Sequence, residues 1–141
     1  MPVRPRDAAT LILLREGASG TGVLMGRRLR KASFAPDVFV FPGGRVDRAD
    51  YLAHPASTLS PHDQALLARD GAAPPAMARA LANAAIRETY EETGLLVAAS
   101  GDVGTVANES WNAFRDAGLA PDHAPLRFLA RAITPSSSPI R

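Results

Sequence analysis

The stretch between Pro75 and Gly94 limits what this chain can fold into more than any other. Proline suits the first turn of a helix, and glycine takes up the left-handed conformation that ends one, so the two residues bracket a single long helix running from just after Pro75 to Thr93. The helix closes on Arg87-Glu88-Thr89-Tyr90-Glu91-Glu92-Thr93-Gly94. At about 100° per residue, Glu88, Glu91 and Glu92 fall within an arc of roughly 100°. Three carboxylates on one face repel one another, and at a helix C-terminus they also oppose the macrodipole. Arg87 can pair with Glu91 at i,i+4, but one guanidinium cannot neutralise three carboxylates. A divalent cation can, and hard oxygen ligands of this kind suit Mg²⁺ or Mn²⁺, which keep several waters and share coordination with substrate phosphates. The plain alternative is a solvated acidic face. Against it stands the distribution of glutamate, since the chain has only five and three of them lie in this octet.

Composition narrows the remaining choices. A chain of 141 residues, 46% hydrophobic and 21% charged, is a single globular domain with one core. With no cysteine it has no thiol nucleophile, no Cys-ligated zinc site and no thiol redox role. A formal net charge of +2 is too small an excess for a nucleic-acid footprint, so nucleic acid is not an expected partner. The apolar run from Ala8 to Leu14, with Thr10 inside it, is too short to span a bilayer and lacks a signal-peptide layout. No membrane partner is expected, and the cytoplasm is the default location.

Along the chain, Asp7 to Arg15 reads as a buried strand, Glu16 to Gly22 as a turn and Gly22 to Leu29 as the hairpin partner. Val38 to Phe41 is a short strand that ends at the turn signal Pro42-Gly43-Gly44. Ser60-Pro61 marks the start of a short helix reaching Arg69, with serine as N-cap and proline at the first helical position. After the long helix come a strand at Leu95 to Ala99, an amphipathic helix at Glu109 to Ala117 and a final strand at Leu126 to Ile133. Strands interleaved with helices indicate an α/β or α+β sandwich.

The octet, read with Phe41-Pro42-Gly43-Gly44 upstream, resembles the signature of the Nudix hydrolases: G, five residues, E, seven residues, then R-E-U-x-E-E-x-G-U, with U aliphatic. Gly44 matches the first glycine, and Asp50 stands where the family has glutamate. Arg87, Glu88, Glu91, Glu92, Gly94 and Leu95 match directly, while Thr89 replaces an aliphatic residue. Thirty-six residues, Tyr51 to Ile86, separate Asp50 from Arg87, so about twenty-nine are extra, and an inserted loop and helix segment is placed at about 51–79 of a single domain spanning 1–141. Insertions in surface loops are thermodynamically cheap. The branch that includes coenzyme A diphosphatases is similar in this respect.

The resemblance implies an α/β/α sandwich with a mixed sheet and a metal-dependent diphosphate hydrolase acting on a nucleoside diphosphate linked to another moiety. The substrates in view are coenzyme A or its esters, dinucleotides and nucleotide sugars. Glu88, Glu91 and Glu92 would be the Mg²⁺ or Mn²⁺ ligands, with the Gly43 carbonyl completing the site. Glu88 would orient or deprotonate the attacking water, and Arg87 would hold the carboxylates in register. Arg27, Arg28 and Gly44 are candidates for contact with the anionic substrate. The alternative on the same fold is a nucleotide-binding or regulatory module that does not cleave its ligand.

Outside this set, His54, His62 and His123 read as surface or turn residues, Trp111 and Phe114 as core, and Tyr90 as a packing residue. A Nudix sandwich normally continues beyond a point equivalent to Arg141, so the chain is expected to lack the C-terminal part of that fold. The inserted segment is expected either to cover the site or to mediate a homodimer, or to do neither.

Overall fold

The computed structural model describes residues 6–27, 37–69 and 73–133. Within them the order is β1 (Ala8–Thr10), β2 (Leu14–Gly17), β3 (Gly20–Val23), β4 (Gly26–Arg27), β5 (Phe39–Val40), β6 (Gly43–Arg45), α1 (Arg48–Leu52), α2 (Pro61–Ala68), α3 (Pro75–Thr93), β7 (Ala98–Ser100), α4 (Ser110–Asp116) and β8 (Leu119–Pro121). The class is α+β. Strand pairing among the described residues consists of four antiparallel pairs, β1 with β6, β2 with β3, β4 with β5 and β7 with β8.

The long helix forms where the sequence places it. Pro75 occupies its first turn and Gly94 ends it at φ 75°, with the Gly94 N–H donating to the Tyr90 carbonyl at 2.7 Å. Its inward face carries Ala78, Ala82 and Ala85 together with Ile86. Such short side chains let neighbouring backbones approach closely, and α1, β1 and β6 all pack on this helix. Two apolar clusters result. The larger joins Ala49, Ile86, Val103, Trp111, Phe114 and Ala120, and the smaller joins Leu59, Ala73, Ala78 and Ala82. Trp111 and Phe114 are fully buried with ring centroids 5.0 Å apart, and Tyr90 meets Phe114 edge-on at 5.8 Å, so all three are packing residues as the sequence indicates.

The short helix α2 also appears, with Ser60 as N-cap and Pro61 in the first turn. Asp63 ties it down: its carboxylate accepts from the Ser60 hydroxyl and from the Phe128 backbone N–H, the latter at 2.7 Å. The segment 51–79 therefore holds the end of α1, all of α2 and the first turn of α3.

Several local expectations are corrected. Asp7 to Arg15 is not one buried strand but two short ones, β1 and β2, and Leu14 remains 65% exposed because among the described residues no second layer covers the β2–β3 pair. A hairpin is present, but its turn shrinks to Ala18-Ser19 and its second strand is Gly20–Val23 and not Gly22 to Leu29, of which Gly26-Arg27 pairs instead with Phe39-Val40 and residues 28–29 lie outside the described residues. The turn at Pro42 is only a bend, after which Gly43 and Gly44 enter β6 opposite Thr10 and Ala9. Leu95 and Leu96 are exposed and the strand starts only at Ala98. Leu126 to Ile133 forms no strand, because β7 already pairs with β8 and the later segment finds no partner strand among the described residues.

His54 and His62 are exposed as expected, whereas His123 is only 1% exposed. It is held by a buried polar network centred on Asn83. The Asn83 amide nitrogen donates to the Asp50 and Ala53 carbonyls at 2.8 and 2.9 Å, so its amide oxygen must accept from His123 Nε2 at 2.8 Å. Burial pushes His123 down to about 4, with Arg79 adding to the effect and Asp122 opposing it.

Candidate active site

The acidic octet forms the C-terminal half of α3, and Arg87 lies at its centre. This guanidinium is 4% exposed, and all five of its N–H donors have acceptors. Nε donates to Asp50 Oδ1 at 2.8 Å, and Nη2 to Asp50 Oδ2 at 3.0 Å and the Arg45 carbonyl at 2.8 Å. Nη1 donates to Glu88 Oε1 and Glu91 Oε1, each at 2.9 Å. Burial by itself would lower the affinity of Arg87 for its proton. The hydrogen bonds from Asp50, Glu91 and Glu88 outweigh that, and the group is held above its ordinary range. With every donor engaged, Arg87 has none left for a further partner.

Asp50 matches the family's glutamate position with a shorter side chain. It is fully buried and makes a two-pronged contact with Arg87. The shorter reach suffices because Asp50 sits inside α1 and approaches α3 closely. It also closes a capping box at the start of α1, where Asp50 Oδ2 accepts from the Asp47 N–H at 2.7 Å and Asp47 Oδ1 accepts from the Ala49 N–H at 2.7 Å. Asp47-Arg48-Ala49-Asp50 is legible in the sequence as such a box, and it is the signal that could have placed Asp50.

Glu88 is half-buried and lies against Gly44. A Cβ at Gly44 would come within 2.5 Å of both Glu88 carboxylate oxygens, so the missing side chain is what makes room for the carboxylate. Burial pushes the Glu88 carboxyl above its ordinary range, with the charges of Glu91 and Glu92 in the same direction and Arg87 opposing. Gly43, the other glycine of β6, has its neighbours in the backbone of β1, where a Cβ would sit 2.5 Å from the Ala9 carbonyl oxygen and 2.7 Å from Thr10 Cα.

Glu91 is held from two sides. Besides Arg87, its Oε1 accepts from the Ser110 hydroxyl at 2.6 Å, a contact between α3 and the first residue of α4. Sequence reasoning missed Ser110, which is nineteen positions away and belongs to no motif. Glu92 is exposed, with no hydrogen bond among the described residues. An open cleft of about 460 Å³ adjoins this region, lined by Asp47, Arg48, Ala49, Leu52, Ala107 and Asn108. Asn108 belongs to the site's support as well, because its side-chain oxygen accepts from the Ser110 N–H at 2.9 Å.

Among the described residues, no group of three or more His, Cys, Asp or Glu side chains is gathered so as to hold a metal ion. Glu88 and Glu91 instead share Arg87 Nη1 through one oxygen each. Their other oxygens accept no hydrogen bond among the described residues. Carboxylate oxygens are the kind of donor that suits Mg²⁺ or Mn²⁺. Arg27 is not brought to the glutamates: it lies in β4 and makes an exposed ion pair with Asp37 at 2.6 Å. Arg28 lies outside the described residues.

In comparison with solved structures, the chain is similar to one described as the crystal structure of a NUDIX hydrolase from Alicyclobacillus acidocaldarius, with a TM-score of 0.66 and 30% sequence identity. The match covers 96% of this chain and 64% of that one. No protein-family model matches the chain. No curated protein matches it either. No helix among the described residues is long and apolar enough to cross a membrane.

Proposed function

We propose that this chain, which has the fold of a Nudix hydrolase, is a metal-dependent hydrolase that cleaves a diphosphate linkage in a nucleoside diphosphate joined to another moiety. The observation that carries the reading is the buried Arg87 guanidinium, which holds Asp50, Glu88 and Glu91 in one array at the end of α3. An ordinary solvated acidic face has no need of a fully engaged, buried arginine behind it. Glu88, Glu91 and Glu92 would hold Mg²⁺ or Mn²⁺, with the Gly43 carbonyl as a further ligand. When bound, such a cation offsets charge on the diphosphate oxygens and lowers the pKa of a bound water.

The chain's own residues supply position. Arg87 fixes one oxygen of Glu88 and one of Glu91, so each carboxylate presents its other oxygen. Gly44 admits the Glu88 carboxylate beside β6, from where Glu88 orients or deprotonates the attacking water. Asp50 anchors the guanidinium from below. The substrate classes in view are coenzyme A or its esters, dinucleotides and nucleotide sugars. Arg27, Arg28 and Gly44 remain proposed substrate contacts. The inserted segment, the coenzyme A diphosphatase-like branch, a cytoplasmic location and a homodimer belong to the same reading.

The test is a substrate panel in the presence of Mg²⁺ or Mn²⁺, with products analysed to locate the phosphorus attacked. Wild type is expected to release two phosphorylated products from at least one diphosphate, and Glu91→Gln and Glu92→Gln to lose turnover while remaining folded. Wild-type turnover in either variant would remove that glutamate from the ligand set. One observation favours a second reading, a module that binds nucleotide without cleaving it: Glu88 and Glu91 each already make an ion pair with Arg87. Saturable binding of a panel member with no product at any metal concentration would establish that reading instead.

A further inference from the structure

Ser110 is the first residue of α4, one position after the N-cap Glu109, and its hydroxyl donates across to Glu91 Oε1 at 2.6 Å. Its position is fixed on both sides. The Ser110 N–H donates to Asn108 Oδ1 at 2.9 Å, and the next residue, Trp111, is fully buried against Phe114. The backbone that carries the hydroxyl is therefore held in place, and the bond to Glu91 sets the direction of the hydroxyl.

At Glu91 the consequence is geometric. Oε1 receives two donors, Arg87 Nη1 from within α3 and Ser110 Oγ from α4, and donors to an ionised carboxylate make short, strong bonds. A second donor, coming from a different helix, restrains the Glu91 carboxylate more than the single Arg87 Nη1 bond would. Resting on the metal-dependent reading above, we infer that Ser110 is a positioning residue for Glu91, holding Oε1 so that the carboxylate's other oxygen would be left to a divalent cation. The Nudix signature does not contain this residue; α4 contributes it from outside.

The experiment uses the full chain and Mn²⁺ alone as probe, followed by calorimetry, with the melting temperature recorded for every variant. Groups that orient a metal ligand typically contribute ten- to a hundredfold to metal affinity. Ser110→Ala is expected to weaken Mn²⁺ binding by about tenfold or more with the melting temperature unchanged, and Ser110→Thr, which keeps the hydroxyl, to restore it to within about threefold of wild type. In a Glu91→Gln background the same alanine substitution is expected to change binding by less than about twofold, because the two side chains act as a pair. Three results would overturn the inference: Ser110→Ala binding Mn²⁺ as tightly as wild type, Ser110→Thr failing to rescue, or an undiminished alanine effect in the Glu91→Gln background. If wild type itself takes up no Mn²⁺, the metal-dependent reading fails first and the inference with it. That result is distinguishable from failure of Ser110 alone.

Discussion

A methyl group added at Gly44 would press on the Glu88 carboxylate, whereas one added at Gly43 would press on the β1 backbone. The first neighbour is the far end of a flexible side chain and can swing away; the second cannot move without shifting a strand. Gly44→Ala is therefore expected to keep the wild-type melting temperature and lose most turnover, while Gly43→Ala is expected to lower the melting temperature itself. Thermal melts and initial rates on the same two preparations check this, and equal melting temperatures for the two variants would contradict it. At Arg87 the expectation is different in kind. Asp50→Ala leaves a buried guanidinium without its two-pronged partner and is expected to destabilise the fold by about 3–5 kcal/mol in urea titrations, far more than removal of a surface ion pair. The pairing of Arg87 with Glu91 could be anticipated because helical spacing at i,i+4 brings the two side chains together. Ser110 and Asn83 could not be, since each acts through a contact between distant parts of the chain that no local pattern encodes.

The helices were far more legible than the strands, for a physical reason. Helix α3 carries its own boundary residues and its hydrogen bonds are internal, so Pro75 and Gly94 sufficed to place it. A strand needs a partner, and its extent depends on where that partner lies. Thus Leu126 to Ile133 has the composition of a strand but forms none, and Pro42-Gly43-Gly44 has turn chemistry but contributes two residues to a ladder. Helix α2 offers a test at this level. Its N-cap and its tether to Phe128 converge on Asp63, whose carboxyl is held below its ordinary range chiefly by the Ser60 hydroxyl and then by the Phe128 N–H. Ser60→Ala is expected to lower stability by about 1 kcal/mol, a usual N-cap contribution. Asp63→Ala is expected to do more, since it also frees the segment around Phe128, and faster cleavage there in limited proteolysis would report the release.

For the molecule as a whole, the buried His123 sets a dependence of stability on acid. Its folded pKa of about 4 lies below the ordinary histidine value of 6.5, so between these values the unfolded chain binds the extra proton and stability falls as pH falls. Below about pH 4 both states carry it and this contribution stops changing. From pH 7 to pH 5 the loss is expected to be about 2 kcal/mol in urea titrations. His123→Gln is expected to flatten the profile over that interval, and an unchanged slope would show that other groups set it. Asp63 acts in a separate, more acidic window. Its depressed pKa adds stability above the ordinary carboxylate range, which is lost as pH falls toward the folded value. The network that holds His123 has another effect, through the amide of Asn83. By gripping the Asp50 and Ala53 carbonyls, Asn83 brings the outgoing end of the 51–79 segment onto the same helix into which that segment later returns. The gap that the intervening chain must bridge is thus set by one rigid body, and each doubling of the chain between those points adds only about 0.6 kcal/mol of closure entropy. Added length is therefore cheap in closure entropy wherever it leaves α2 and the cluster of Leu59, Ala73, Ala78 and Ala82 in place.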